Sequence, residues 1–399
     1  MPLEAPVSPE EADIAKLSVN QLLALLADVR LTDHKVWGII ELLGQFPTTK
    51  VFNRAIEMIA DQSSLIRSRG VGILGRFGID VAQGRSGLDM NFCEMGRRQA
   101  ISKLVDICIV ESDQSVLATV ITGLGNHAVA DTIGAVMQHS TNPSPAVREA
   151  VAFALPALMV GVADRGAKST LVETAQRART ILLGLCDDRE SSVREWALFG
   201  LAEMLDDDAP DAREILHSHL GDEVQENRIE SAYGLARLRD RDALEVVESF
   251  ISEQIDERSM RLMVEAAHFL ADDRLVEPLR LVAKRSVQSN VDSLLIEHAL
   301  AECEPESRRC LDERDYSLVS RVAAIASESE GLPKIEVQSC KVPFELARQL
   351  RITWPGTNDV EMKMWPIEQL VDERCLGDID KAAMIAFEEF ASKCASTIT

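Results

Sequence analysis

Four segments of the chain fall on one frame. They are DQSSLIRSRGVGIL (61–74), NPSPAVREAVAFAL (142–155), DDRESSVREWALFGL (187–201) and DEVQENRIESAYGL (222–235). Each places Asp or Asn six residues before an Arg and Leu seven after it: Asp61/Arg67/Leu74, Asn142/Arg148/Leu155, Asp188/Arg194/Leu201 and Asp222/Arg228/Leu235. A recurring frame constrains the fold strongly, because a short unit that cannot bury its apolar face alone must stack on its copies. Two weaker copies put Leu117 and Met263 at the Arg position, with Leu124 and Leu270 seven residues on. Positions 194, 228 and 263 lie 34 and 35 residues apart, and the wider spacings 67–117 and 148–194 imply insertions or an extra helix. Between copies run APDAREILHSHL, DRDALEVVESFI and DDRLVEPLRLVA, each amphipathic and with Asp near its first turn, which a helix N-terminus favours. The unit is therefore two helices.

These residues resemble HEAT repeats of the short kind found in bacterial proteins and in phycobilisome lyase-like repeat proteins. The resemblance covers residues 20–300 and is strongest over 142–285, whereas the small-residue and Trp/Gly/Tyr/Pro pattern of tetratricopeptide arrays is absent. It implies an all-α, HEAT-type α-solenoid of stacked helical hairpins. It also implies that turn Asp and helix Arg form a ladder between neighbouring repeats, so that Asp61, Asp188, Asp222, Arg67, Arg148, Arg194 and Arg228 are structural. The Arg-bearing helix would line the concave face. The expected division is an N-terminal arm (1–19), the solenoid (20–305) and a small C-terminal module (306–399) containing a β-hairpin.

A helix starting near Ser192 puts Val193, Ala197, Leu201 and Leu205 on one apolar stripe. Phe199 then points away from the stripe, with Glu195 and Glu203 beside it and Trp196 on the border. Five positions after Arg148, Arg194 and Arg228 the chain carries Phe153, Phe199 and Tyr233 and, in the weaker copy at Met263, His268. By the resemblance these side chains look into the groove and form a row, with Glu149, Glu230 and Arg237 around them. Two readings follow: an acid-bordered aromatic recognition surface, or rings that pack on one another between repeats.

Lys and Arg total 42 and Asp and Glu 65, a net charge of −23. The excess opposes phosphate backbones and anionic lipid surfaces, so neither nucleic acid nor membrane is the expected partner. Residues 187–280 hold 25 acidic and 11 basic side chains, a net −14, against 13 and 12 in residues 1–110. The start of the chain lacks a signal-peptide pattern, and the longest apolar run, VAFALPALMVGVA, is too short to span a bilayer, which predicts a cytoplasmic protein. Eight cysteines without a CxxC pair indicate buried or free thiols, with neither disulfides nor zinc.

Several motifs carry less than they suggest. Gly70, Gly72 and Gly75 spell GxGxxG, but inside a repeat helix instead of after a strand, so close helix packing explains them better than a dinucleotide does. His217 and His219 point about 200° apart on a helix and read as surface residues, not metal ligands. Arg67, Arg69, Arg76, Arg85, Arg97, Arg98 and Lys103 are basic but interspersed with acids. No catalytic motif is found, and no cofactor is expected. After residue 305 KIEVQSCKV, RITW and VEMKMW read as β-prone, with Pro355–Asp359 as a turn and Trp354 and Trp365 in the core. VPFELARQL and DIDKAAMIAFEEFASKC read as helices, and the module would cap the array.

The expectation is a non-enzymatic solenoid that binds a basic or neutral protein in its groove, as an adaptor or as an inhibitor of a toxin or effector. Phe153, Trp196, Phe199 and Tyr233 would be anchors; Glu195, Glu203, Glu230 and Arg237 would complete the surface. The alternatives are a repeat enzyme such as a bilin lyase-like protein, a repeat-type nucleic-acid binder, which the charge disfavours, and a purely structural scaffold.

Overall fold

A computed structural model describes residues 14, 16–26, 32–79, 90–163, 169–205, 207–253, 255–286, 293–304, 314, 316–325, 336–341, 348–353, 363–366, 371 and 378–398. In order the helices are α1 Val19–Leu25, α2 Asp33–Gly44, α3 Thr49–Ile59, α4 Ser64–Arg76, α5 Met90–Val110, α6 Gln114–His127, α7 Ile133–Met137, α8 Pro145–Ala163, α9 Ser169–Cys186 and α10 Ser191–Phe199. They continue as α11 Pro210–His219, α12 Gln225–Arg237, α13 Leu244–Ser252, α14 Glu257–Leu270, α15 Val276–Ser286, α16 Ser293–Cys303 and α17 Tyr316–Ile325. Strands β1 Glu336–Lys341, β2 Arg348–Thr353 and β3 Lys363–Pro366 precede α18 Ile379–Ile398. The fold is all-α repeats of the HEAT type, with a small sheet late in the chain.

The chain divides into two compact units, Met1–Ser231 and Ala232–Thr399. This division lies within α12, upstream of the composition change near residue 305. In the first unit the frame-bearing helices α4, α6, α8 and α10 pack in sequence, and α5, α7, α9 and α11 pack in sequence behind them. The predicted stripe is present, with Val193, Ala197 and Leu201 buried. The helix itself is shorter than predicted, because α10 passes into a π-helical turn at Gly200–Met204. The cause lies on α8. Pro156 sits inside that helix, and a Cβ on Gly200 would overlap its Cγ. A proline ring projecting from one helix is met by a glycine and a widened turn in the next.

The Asp–Arg ladder is regular. Nη1 of Arg67, Arg148, Arg194 and Arg228 donates to the backbone carbonyls six and five residues upstream, at 2.8–3.4 Å. Asp61, Asn142, Asp188 and Asp222 each accept the backbone N–H two residues on, at 2.8–2.9 Å. Between repeats, Arg148 donates to both carboxylate oxygens of Asp188 at 2.6 and 2.8 Å, and Arg194 to those of Asp222 at 3.0 and 3.1 Å. Arg67 makes the same bidentate pair with Glu111, six residues before Leu117. Leu117 has no guanidinium to donate, and the next turn position is the uncharged Asn142. The turn residue thus carries charge where the preceding repeat supplies an Arg, as the cost of burying an unpaired charge requires. His219, expected at the surface, is buried at the same junction, with Nδ1 3.0 Å from Asp222 and Nε2 3.2 Å from Asp187.

The GxGxxG glycines serve helix packing. A Cβ on Gly70 would lie 2.7 Å from Met58 Cβ of α3, one on Gly72 2.8 Å from Ile40 of α2, and one on Gly75 2.7 Å from the Cα of Gly123 on α6. One helix thereby makes close approaches to three neighbours. The basic residues nearby are engaged internally: Arg69 donates to Leu26 O, Arg97 to His127, Arg98 to Glu94 and Lys103 to Asp106, while Arg76 lies 3.7 Å from Glu41. Helix α8 is longer than its apolar run suggested, and Pro145–Val162 has the length and composition to cross a membrane. It is 56% buried inside the fold and packs on α6, α9 and α10. The described thiols of Cys93, Cys108, Cys186 and Cys303 are buried, and burial pushes those of Cys108 and Cys303 up to about 11.

His127 at the end of α6 is 1% exposed. Its Nε2 lies 2.9 Å from Leu74 O and its Nδ1 accepts from Arg97 Nε at 3.3 Å. The neutral ε-tautomer satisfies both contacts, and burial, opposed by the Leu74 carbonyl and aided by Arg97, pushes the pKa down to about 4. Between the ordinary value near 6.5 and about 4 the unfolded chain takes up a proton that the folded one refuses. Stability is therefore lost as pH falls through that window, by about 3 kcal/mol in all. Urea midpoints should decline from pH 6.5 to 4, and His127→Gln should flatten that slope.

In the second unit α13 packs on α14 and α15, and α14 on α16. The sheet order is β1-β2-β3, both pairs antiparallel, with Ser339 opposite Leu350 and Leu350 opposite Trp365. Leu318 and Val322 of α17, Leu350 of β2, Val371, and Ala382, Ala383 and Ala386 of α18 share a core. The predicted hairpin (β2 with β3) and the final helix are present, whereas the helix expected over VPFELARQL is corrected: Arg348, Gln349 and Leu350 belong to β2, and residues 342–347 lie outside the described residues. Trp354, the Pro355–Asp359 turn, Arg85, Asp206, Cys310 and residues 1–13 of the arm lie outside the described residues.

Candidate functional site

Consecutive frame-bearing helices of the first unit bring the same frame positions side by side, and together they line a groove of about 620 Å³. Helix α6 supplies Gln114, Ser115, Ala118, Thr119 and Thr122; α8 and the residue before it supply Ser144, Ala146, Glu149, Ala150 and Phe153; α10 supplies Trp196, and α2 supplies Trp37. The threonine hydroxyls are turned to their own backbone: Thr119 donates to Ser115 O and Thr122 to Ala118 O, both at 3.0 Å, and Ser68 and Thr119 share a 3.0 Å hydrogen bond. Hydroxyls bonded in this way add little free hydrogen-bonding capacity, so with the three alanines the floor is small and largely apolar.

Aromatic rings bound it. Phe153 meets Trp196 edge-on with centroids 5.1 Å apart at 89°, and Trp196 meets Phe199 at 5.5 Å and 81°. Phe153 stands five positions after its frame Arg and Trp196 two positions after the next, so the contact joins neighbouring repeats. Edge-to-face pairs of this kind contribute about 0.5–1.5 kcal/mol beyond their buried area. All three rings remain half-buried. Trp37 is 46% exposed and reaches over Gly72, from whose Cβ position its ring is 3.7 Å.

The second unit repeats the geometry with different chemistry. Tyr233, five after Arg228, donates to Glu265, two after Met263, at 2.9 Å. Glu265 also accepts from Arg261 at 2.6 Å. Tyr233 stacks edge-on with Phe269 at 6.3 Å, and His268 with Phe269 at 5.5 Å. Tyr233 is 8% exposed and Glu230 1%. The expectation that these two side chains face a partner is therefore corrected: both are buried, and at Tyr233 the next repeat covers a position that a single helix would leave open. Glu195, Glu203 and Arg237 are half-buried. Trp37 was missed because it precedes the first recognisable frame, and Thr119 and Thr122 because their copy lacks the Arg.

No family model and no curated protein matches the chain. Among solved structures, YibA of E. coli is similar at 20% identity and a TM-score of 0.50, the match covering 76% of this chain and 98% of that one. The CpcE–CpcF phycocyanin lyase complex of Nostoc sp. PCC7120 matches at 13% identity over 72% and 96% of the respective chains, with a TM-score of 0.41. The likeness to YibA supports the repeat fold and nothing further.

Proposed function

We propose that the protein is a non-catalytic binding module whose first unit receives a segment of another protein, as an adaptor or an inhibitor. The observation that carries this reading is the groove itself: an alanine-rich floor between partly exposed aromatic rings fixed by inter-repeat contacts. Preorganised aromatic anchors dominate interface energies because they bury area at little entropic cost. The net charge of −23 steers a basic partner toward the chain and repels nucleic acid.

Truncating Trp196 to Ala should weaken the partner about 30-fold, the loss of a central anchor of about 2 kcal/mol. Tyr233→Phe, which removes the buried hydroxyl that donates to Glu265, should leave binding unchanged. Calorimetric titration of both variants, with helicity checked by circular dichroism, tests the reading; equal effects of the two would oppose it.

A further inference from the structure

Resting on the groove as the binding surface, we infer that its occupant inserts an arginine side chain, with the guanidinium set against Glu149 and the tryptophan rings. Glu149 is the single charged residue among the described groove-lining residues. Every ladder acid on the neighbouring turns is engaged, Asp188 by Arg148, Asp222 by Arg194 and Glu111 by Arg67. Among the described residues Glu149 has neither a hydrogen-bond nor an ion-pair partner, although its neighbour Arg148 is held in the ladder and turned to Asp188. The groove therefore offers one uncommitted negative charge beside an apolar floor.

The rings select the cation. Trp37, Phe153 and Trp196 line the same groove, and the negative faces of such rings attract cations, indole most strongly. A guanidinium is planar and weakly hydrated, stacks on an indole and forks onto a carboxylate; an ammonium does neither so well. Its aliphatic stem would lie on Ala118, Ala146 and Ala150, as long basic side chains do on apolar surface. An acidic or phosphorylated segment would meet Glu149 with no cation in the lining to answer it.

The test uses full-length protein labelled with 5-fluorotryptophan, its resonances assigned with Trp37→Phe and Trp196→Phe. Two peptides are titrated at physiological ionic strength: acetyl-Gly-Arg-Ala-Arg-Gly-amide, and the same sequence with citrulline, which keeps the shape and loses the charge. The expected result is a saturable shift of the Trp37 and Trp196 signals with the arginine peptide, at least tenfold weaker with citrulline and about tenfold weaker in Glu149→Gln. No saturable shift up to 10 mM, equal binding of the citrulline peptide, or unchanged affinity in Glu149→Gln would overturn it. If Glu149→Gln keeps the natural partner while Trp196→Ala loses it, the arginine inference fails and the groove reading stands.

Discussion

Gly200→Ala is expected to lower stability by about 3 kcal/mol, the upper end of the usual cost of overpacking a core. The added Cβ would overlap Cγ of Pro156 and come within 3.1 Å of its Cβ. Neither group can withdraw easily: the proline ring is fixed to its own backbone in α8, and Gly200 opens the π-helical turn. Shrinking the other side should restore much of the loss, so Gly200→Ala with Pro156→Gly should unfold later than the sum of the single variants allows. Chemical denaturation of the four members of this cycle measures the coupling directly. Additive effects would show that the contact is not what holds the turn open.

Asp188→Ala should cost about 3 kcal/mol, the lower end for breaking a buried ion pair. It strands the Arg148 side chain, 8% exposed, and removes the acceptor for Glu190 N–H. The natural chain contains the remedy at Leu117 and Asn142. Arg148→Leu combined with Asp188→Asn should therefore be more stable than Asp188→Ala alone, since it removes the guanidinium together with its counter-charge and keeps a side-chain acceptor. The bond from Arg148, outweighing burial, holds the Asp188 carboxyl below its usual range. Its stabilising contribution is fully present above about pH 4 and fades as pH falls further. That window lies below the one assigned to His127, so acid titrations of Asp188→Asn and His127→Gln should lose different parts of the curve.

The frame was legible because each of its residues acts locally. Arg148 and Arg194 reach carbonyls on their own turn, and Asp188 and Asp222 cap theirs, so one repeat read alone contains most of the design. Glu111 escaped because its own repeat has Leu117 in place of Arg and its side chain is one carbon longer than Asp. The Pro156–Gly200 contact was invisible because it joins two helices through shape, with no pattern in either. Helical-wheel reasoning placed Phe199 and Trp196 on the partly exposed side, but extending that face to Tyr233 and Glu230 by the repeat resemblance failed, since both are buried. A wheel shows which way a side chain leaves its helix; it does not show what the next repeat puts there. Glu265 and Phe269 answer Tyr233 only once α14 is in place.

The most direct test of the groove as the working surface is site-specific photocrosslinking in the cells that make the protein. A benzoylphenylalanine at Ala146, exposed on the groove, is compared with one at Val172, 53% exposed on α9. The account predicts that the Ala146 position captures a basic protein which the Val172 position does not, and that Trp196→Ala abolishes the adduct while α-helicity is retained. The same adduct from both positions, or its persistence in the Trp196→Ala/Phe153→Ala double variant, would contradict it.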